Sequence, residues 1–494
     1  MHALKIKSVF KLSVTNINFK SYISTVNSPA NSSSDSTREF KPWQEIPGPA
    51  RSSILLGHFF NVLTNGSLYN YDGFEMLENL YKQYGPIVKI PGLFRSPNLF
   101  ILYDAESIAY VLRSENWLPK RPGFQSLEHY RKVYKKNNEN DVTGLTTDHG
   151  EQWKKLRSMV NPVLMQPKTI KLYSTILDEV AKDMIERMKS NRDENNMIKG
   201  DLSEEMNLWA LESISVVALG GRLNCFEPNL PVDSDVRKLI HIVHEFFSVA
   251  DKLDFKPSLW RLYPTKTYKR AMKLYEEQEK LNKKFIKMAM EKLASDTILD
   301  KEKGILEKLL EIDEQVAILM ASDLLFAGVD TATHTIMPLF YLLATHPEKQ
   351  TKLREELLSN SEKRSYLKAC IKESMRIMPV VSGNIRETSK EYNILGYKIP
   401  EQTYLSFAHQ YTSLMECHYP RPREYIPERW IADKKDPLYH GNAHPFAYSP
   451  FGFGARSCIG RRIAELEIEI FLPELLKTFV LNGLGNHSDS IKAH

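Results

Sequence analysis

Cysteine is scarce in this chain: 494 residues carry four, Cys225, Cys370, Cys417 and Cys458, with no CxxC pair and no zinc-type spacing. That scatter argues against a disulfide scaffold. Strong net charge is missing as well. Lys and Arg number 66 against 61 Asp and Glu, a balance of +5, and no compact basic tract or aromatic-interleaved basic stripe marks a nucleic-acid surface. No internal low-complexity linker and no repeat breaks the chain. The first 34 residues lack any acidic residue and any arginine. They also lack an apolar run near the ~18 residues of a membrane span, and a compact signal-peptide core.

What that N-terminus does contain is Lys5, Lys7, Lys11 and Lys20 among apolar, Ser, Thr and Asn residues. Such a start reads as a mitochondrial presequence with its processing region over residues 1–40; the alternative is a disordered basic tail. Residues 41–494 read as one domain, entered through the stiff, proline-marked "KPWQEIPGPARS".

Hydrophobic residues make up 42% of the chain, enough for a large core. Helical spacing predicts helices near 71–85, 105–114, 150–160, 170–190, 203–219, 235–250 and 266–296, and a long one from about Asp313 to His346. "PIVKI" and "NLFILYD" read as strands, and "LGYKIP" with "TYLSFA" as a short hairpin. The expected fold class is mostly α with a small β portion (α+β).

Three stretches carry chemistry. "PFAYSPFGFGARSCIGRRIAELE" places Cys458 just before a helix, behind Gly452, Gly454 and Gly460 and beside Arg456. The helix start favours an anion there, so the thiol is expected to be acidic, a nucleophile or a metal ligand; a buried inert cysteine is the alternative. Pro473 is expected to bend or weaken the following helix. "LLFAGVDTATHT" sets Gly328, Asp330 and Thr331 into an apolar helix. A glycine there costs about 1 kcal/mol, so either a ligand approaches it and Asp330 and Thr331 relay protons, or the threonines merely bond back to carbonyls. "YLKACIKESMRIMP" puts Glu373 and Arg376 on one helix face, with Arg429 in "PERW" able to close a Glu–Arg–Arg network.

Taken in order, "AGVDT", Glu373 with Arg376, "PERW" and the Phe451–Gly454–Arg456–Cys458–Gly460 spacing resemble a haem-thiolate monooxygenase of the cytochrome P450 family, over roughly residues 45 to 480. The resemblance implies haem b (iron protoporphyrin IX) lying between the long central helix and the Cys-bearing loop and helix. Cys458 is then the metal ligand, its thiolate feeding the iron electron density that favours O–O cleavage. Trp153 and Arg157 in "GEQWKKLR", Arg386 in "SGNIRE" and Arg456 are implied partners of the haem propionates. Asp330 and Thr331 are implied to deliver protons to bound oxygen. Phe124, Ala327, Val380 and Val381 are pocket positions for a lipophilic substrate.

A finer resemblance, to the mitochondrial branch and most of all to arthropod members that include ecdysteroid hydroxylases and xenobiotic oxidases, implies electrons from a small acidic ferredoxin and its NADPH reductase. Lys368, Lys372, Arg461 and Arg462 match its docking positions. Location on the matrix side, with peripheral inner-membrane contact, follows from the same likeness. Two features depart from the family pattern: a short connection in "LREELLSNSEKRSYLKAC", and an end soon after the helix that follows Cys458, where a pocket-closing hairpin is usual. The competing expectations are therefore an oxygen-inserting enzyme, a redox-neutral isomerase or dehydratase of the same fold, and a catalytically impaired haem-binding variant.

Overall fold

The computed structural model describes residues 2–6, 40–49, 73–92, 97–135, 142–194, 201–228, 230–256, 258–295, 302–359 and 363–483. Most of the predicted presequence, and everything after 483, lies outside the described residues. The strands are β1 His2–Ile6, β2 Lys41–Pro42, β3 Ile87–Ile90, β4 Leu99–Leu102, β5 Asn384–Glu387, β6 Tyr392–Ile394, β7 Tyr397–Ile399, β8 Tyr404–Phe407 and β9 Phe479–Gly483. They form three small sheets, ordered β3-β4-β8-β5, β2-β7-β6 and β1-β9.

The predicted pairing of "LGYKIP" with "TYLSFA" is corrected here. β7 turns back on β6 through Leu395 and Gly396, both at positive φ, the backbone that a tight two-residue hairpin demands. β8 instead runs parallel to β4 and antiparallel to β5 in another sheet.

Helices dominate the rest. The chain runs through α1 Gly73–Tyr84, α2 Ala105–Arg113, α3 Gln125–His129, α4 Gly150–Leu164, α5 Pro167–Lys171, α6 Ser174–Ser190 and α7 Leu202–Leu219. It continues with α8 Asp235–Ala250, α9 Lys266–Ser295, α10 Ile305–Ile312, α11 Glu314–Thr345 and α12 Pro347–Leu358. α13 Ser365–Ile377, α14 His409–Ser413 and α15 Arg461–Thr478 complete the described set.

α11 forms the axis of the large core, packed along α7 and flanked by α8, α9, α10 and α13. Asp313 caps it by accepting from Val316 N at 2.9 Å. Gly328 answers to this packing: a Cβ there would fall 2.4 Å from Ile214 Cγ1 of α7. Its role is thus close helix approach and not the ligand contact that the sequence left open. α15 continues through Pro473 to Thr478, so the expected weakening is local to one hydrogen bond. The carbonyl that loses its helical donor, Glu469 O, lies 3.5 Å from Arg364 Nη1.

Candidate cofactor and catalytic site

The loop before α15 needs its glycines at two points. Gly452 and Gly454 take φ of +70° and +72°, values that side chains disfavour; Gly460, at −84°, is the helix N-cap. The loop closes when Cys458 N donates to Phe451 O at 2.9 Å. The amides of Gly460 and Arg461 then reach the Cys458 sulfur, and the guanidinium groups of Arg157 and Arg121 act on it from further off. Burial still outweighs these four influences and holds the thiol above its usual range, contrary to the acidic cysteine expected from the helix start. Low-dielectric surroundings penalise the anion more than two amides and distant cations repay.

Cys458 is deeply enclosed by protein yet has exposed surface. Both are met where Cys458 borders open space inside the molecule. On α11, Ala327 is likewise exposed between buried Phe326 and Val329, so space adjoins that helix too.

Four arginines gather near the cysteine. Arg157 donates from Nη2 to Ser457 O at 3.0 Å, while its buried Nε has no partner. Arg386 pairs through Nε with Glu115 Oε1 at 2.6 Å and donates from Nη2 to Phe453 O at 3.3 Å. Arg456 stacks over the Trp153 ring at 3.8 Å. Its fork, however, is committed to the main-chain oxygens of Pro119, Leu145 and Asp148 at 3.0, 3.1 and 2.9 Å. Arg456 therefore latches three loops together, which differs from the free propionate clamp expected of it. Arg121, which the sequence reading passed over, takes its place in the cluster; its only signal was its position just ahead of the pocket residue Phe124.

This crowd is electrostatically unfinished. Burial and then the neighbouring cations Arg121, Arg386 and Arg157 pull the Arg456 pKa down to about 9. Burial, then Arg386 and Arg157, bring Arg121 to about 10 against the pull of Cys458. Glu115 is itself held above the usual carboxylate range by burial. An orphaned guanidinium N–H, mutually repelling cations and a cysteine facing open space suit a flat dianionic cofactor whose metal accepts a thiolate. Haem b fits that description.

Asp330 and Thr331 part company on α11. Asp330 is buried with Oδ1 unpartnered, and burial raises its pKa against the pull of His334 and His244. Thr331 Oγ1 donates to Ala327 O at 2.6 Å, the back-bonded state that the sequence offered as its alternative.

Glu373, Arg376 and Arg429 are brought together with no exposed side-chain surface. Arg376 donates from Nε to Glu373 Oε2 at 2.9 Å and from Nη2 to Oε1 at 2.8 Å. Arg429 Nε adds 2.9 Å to Oε1, and Trp430 Nε1, absent from the sequence reading, adds 2.8 Å to Oε2.

The substrate-side positions separate. Phe124 meets Phe246, Phe247, Phe255 and Phe326 edge-on at 5.3 to 6.2 Å, an aromatic wall. Val380 and Val381 are exposed. Of the basic set, Lys368 pairs with Glu469 at 3.7 Å and Arg461 with Glu465 at 2.9 Å. Lys372 lies over Trp430 at 5.5 Å, and Arg462 is exposed.

A helix-rich fold with a glycine-turned cysteine loop of this kind, ringed by arginines, defines a haem-thiolate protein. The cytochrome P450 family model matches residues 47–490, and the chain belongs to that family. It is accordingly a haem b monooxygenase. Cytochrome P450 CYP12A2 of Musca domestica is 36% identical, over 92% of this chain and 88% of its own length. Cytochrome P450 12b1, mitochondrial, of Drosophila acanthoptera is 29% identical, over 96% and 91%. The retinoic acid bound cyanobacterial CYP120A1 shares the fold, with a TM-score of 0.67 at 20% identity, covering 89% of this chain and 92% of that one.

Proposed function

We propose that this enzyme is a mitochondrial monooxygenase that hydroxylates a lipophilic small molecule, a sterol or a xenobiotic, with electrons from a small acidic ferredoxin served by an NADPH reductase. The observation that carries the reading is the Cys458 sulfur, met by the Gly460 and Arg461 amides and facing open space beside four arginines. The mitochondrial name of the Drosophila acanthoptera relative and the acid-free, lysine-bearing start support the location.

Bound haem supplies O2 activation, with one oxygen atom going to substrate and the other to water. Cys458 would hold its iron, and Arg121, Arg157 and Arg386 its propionates, with the Arg456 charge behind them. The two amides stabilise negative charge on sulfur. The aromatic wall around Phe124 supports a lipophilic guest. Asp330 takes up a proton more readily than a solvated carboxyl, since burial favours its neutral form, and Thr331 turns its hydroxyl from Ala327 O to pass that proton on. Retention of this pair favours oxygen insertion over a redox-neutral rearrangement.

Replacement of Cys458 by alanine removes the thiolate-type band of the reduced carbon monoxide complex; its survival would refute the ligand assignment. Thr331→Ala and Asp330→Asn keep haem incorporation while product per reduced cofactor falls, within the roughly 10²–10⁴-fold range of general acid steps. An unchanged ratio in both variants assigns the pair to helix packing alone.

A further inference from the structure

A proton taken up by Asp330 must come from solvent, and the residue is only 5% exposed. Its Oδ1 is buried with no partner. Its Oδ2 lies 3.9 Å from Nδ1 of His244 on α8, an imidazole whose side chain is 68% exposed. One imidazole thus touches bulk water on one side and approaches a buried acid on the other.

We infer that His244 is the solvent-side relay that reloads Asp330 with protons. The gap only slightly exceeds a direct hydrogen bond, and a small turn of the exposed His244 side chain closes it. The protonated ring gives its Nδ1 proton to Asp330 Oδ2 and is left neutral; it then takes a proton from bulk water at Nε2, and the tautomer resets. Proton count balances, no electron moves, and His244 acts through Asp330 without touching substrate or cofactor.

Neighbouring charged groups are otherwise engaged. His334 faces Asp330 from the next turn of α11, but its Nδ1 is 2.7 Å from Asp330 O, the main-chain oxygen. On α8, Glu245 lies 3.7 Å from His241 and is held by Arg270 of α9. The α7 acids Glu205 and Glu212 are held by Arg187 of α6 and by Arg222, while Asp323 of α11 pairs with Arg131. His334 is exposed as well, but among the described residues His244 alone brings a ring nitrogen within 4.0 Å of an Asp330 carboxyl oxygen.

The inference rests on the proton-delivery reading of Asp330, and its test separates the two. In the ferric holoprotein at mildly acid pH, the protonated Asp330 carboxyl is assigned as the infrared band lost in Asp330→Asn. The rate at which that band shifts on mixing into D2O reports its connection to solvent. Expected is roughly tenfold slower exchange in His244→Gln, a small part of what a proton donor contributes, and parent exchange in His334→Gln. Parent exchange in His244→Gln, slowing in His334→Gln in its place, or no Asp330-dependent band overturns the relay. Product per NADPH, read with 7-ethoxycoumarin as the probe substrate, then sorts the readings: a loss in Asp330→Asn with none in His244→Gln defeats the relay alone, and no loss in Asp330→Asn defeats the proton-delivery reading.

Discussion

Glu467 is a buried acid on which desolvation is the one influence acting. It is buried within α15 with Oε1 unpartnered, and burial raises its pKa from 4.5 to about 8. Because the folded value lies above the unfolded one, its contribution to stability is whole below the unfolded value. It is lost as pH rises towards the folded value, where the unfolded chain ionises and the folded one resists. The loss has a ceiling on the order of 5 kcal/mol, from about 1.4 kcal/mol per unit. Glu467→Gln is expected to flatten the stability profile and to raise the urea midpoint at neutral and alkaline pH. Urea unfolding from about pH 5 to about pH 9 checks this, and a variant that parallels the parent throughout would contradict it.

Among elements, α11 and α7 approach closely at Gly328 and Ile214. Interdigitated helices tolerate little added volume, and overpacking of this sort costs about 1–3 kcal/mol. Gly328→Ala is expected to lower the unfolding midpoint, and Ile214→Val beside it to recover part of the loss, a coupling that a double-mutant cycle measures. Additive effects would mean that the helices simply move apart. α13 is tied to the Pro427–Trp430 turn differently, by charge. Arg429→Ala would leave Glu373 buried with one partner fewer, a loss of about 3–5 kcal/mol. Arg429→Lys is not expected to recover it, since Arg429 also donates from Nη1 and Nη2 to Pro420 O and Arg421 O, which an ammonium on a flexible stem does not match. Thermal unfolding and haem content of the two variants check this.

Across the whole molecule, the basic residues of α13 and α15 lie close to acids: Glu469 holds Lys368 and Glu465 holds Arg461. A docking ferredoxin would have to compete with those pairs, which makes Lys372 and Arg462 the more available cations. The double variant Lys372→Glu and Arg462→Glu is expected to slow association with an acidic ferredoxin. The deficit should shrink as salt rises, because exposed charges act mainly through long-range attraction. Stopped-flow reduction across an ionic-strength series measures it, and a deficit independent of salt would point to damaged packing. Residues 1–40 joined to a fluorescent reporter are expected to carry it into mitochondria; a cytosolic reporter would refute the import reading.

Local pattern was enough for much of this protein. Helix positions follow from apolar spacing and caps that lie close together in the chain, as at Asp313 and α11. The cysteine loop is legible for the same reason, since Gly452, Gly454 and Cys458 stand within seven positions and their backbone demands are local. Charge and burial were not legible. Whether the Cys458 thiol is eased or penalised depends on surroundings drawn from α4, the Arg121 loop and the loop's own fold. Arg456 is diverted by carbonyls more than three hundred positions away, at Pro119, Leu145 and Asp148. Gly328 looked like a ligand position because its obstacle, Ile214, belongs to another helix. His244 gave no signal, lying 86 positions from Asp330 and meeting it only where α8 crosses α11. Spacing along the chain determined which groups this protein carries and on which helices and loops. Only tertiary structure decided which of them face one another in a medium of low dielectric, where proximity and desolvation set each group's charge.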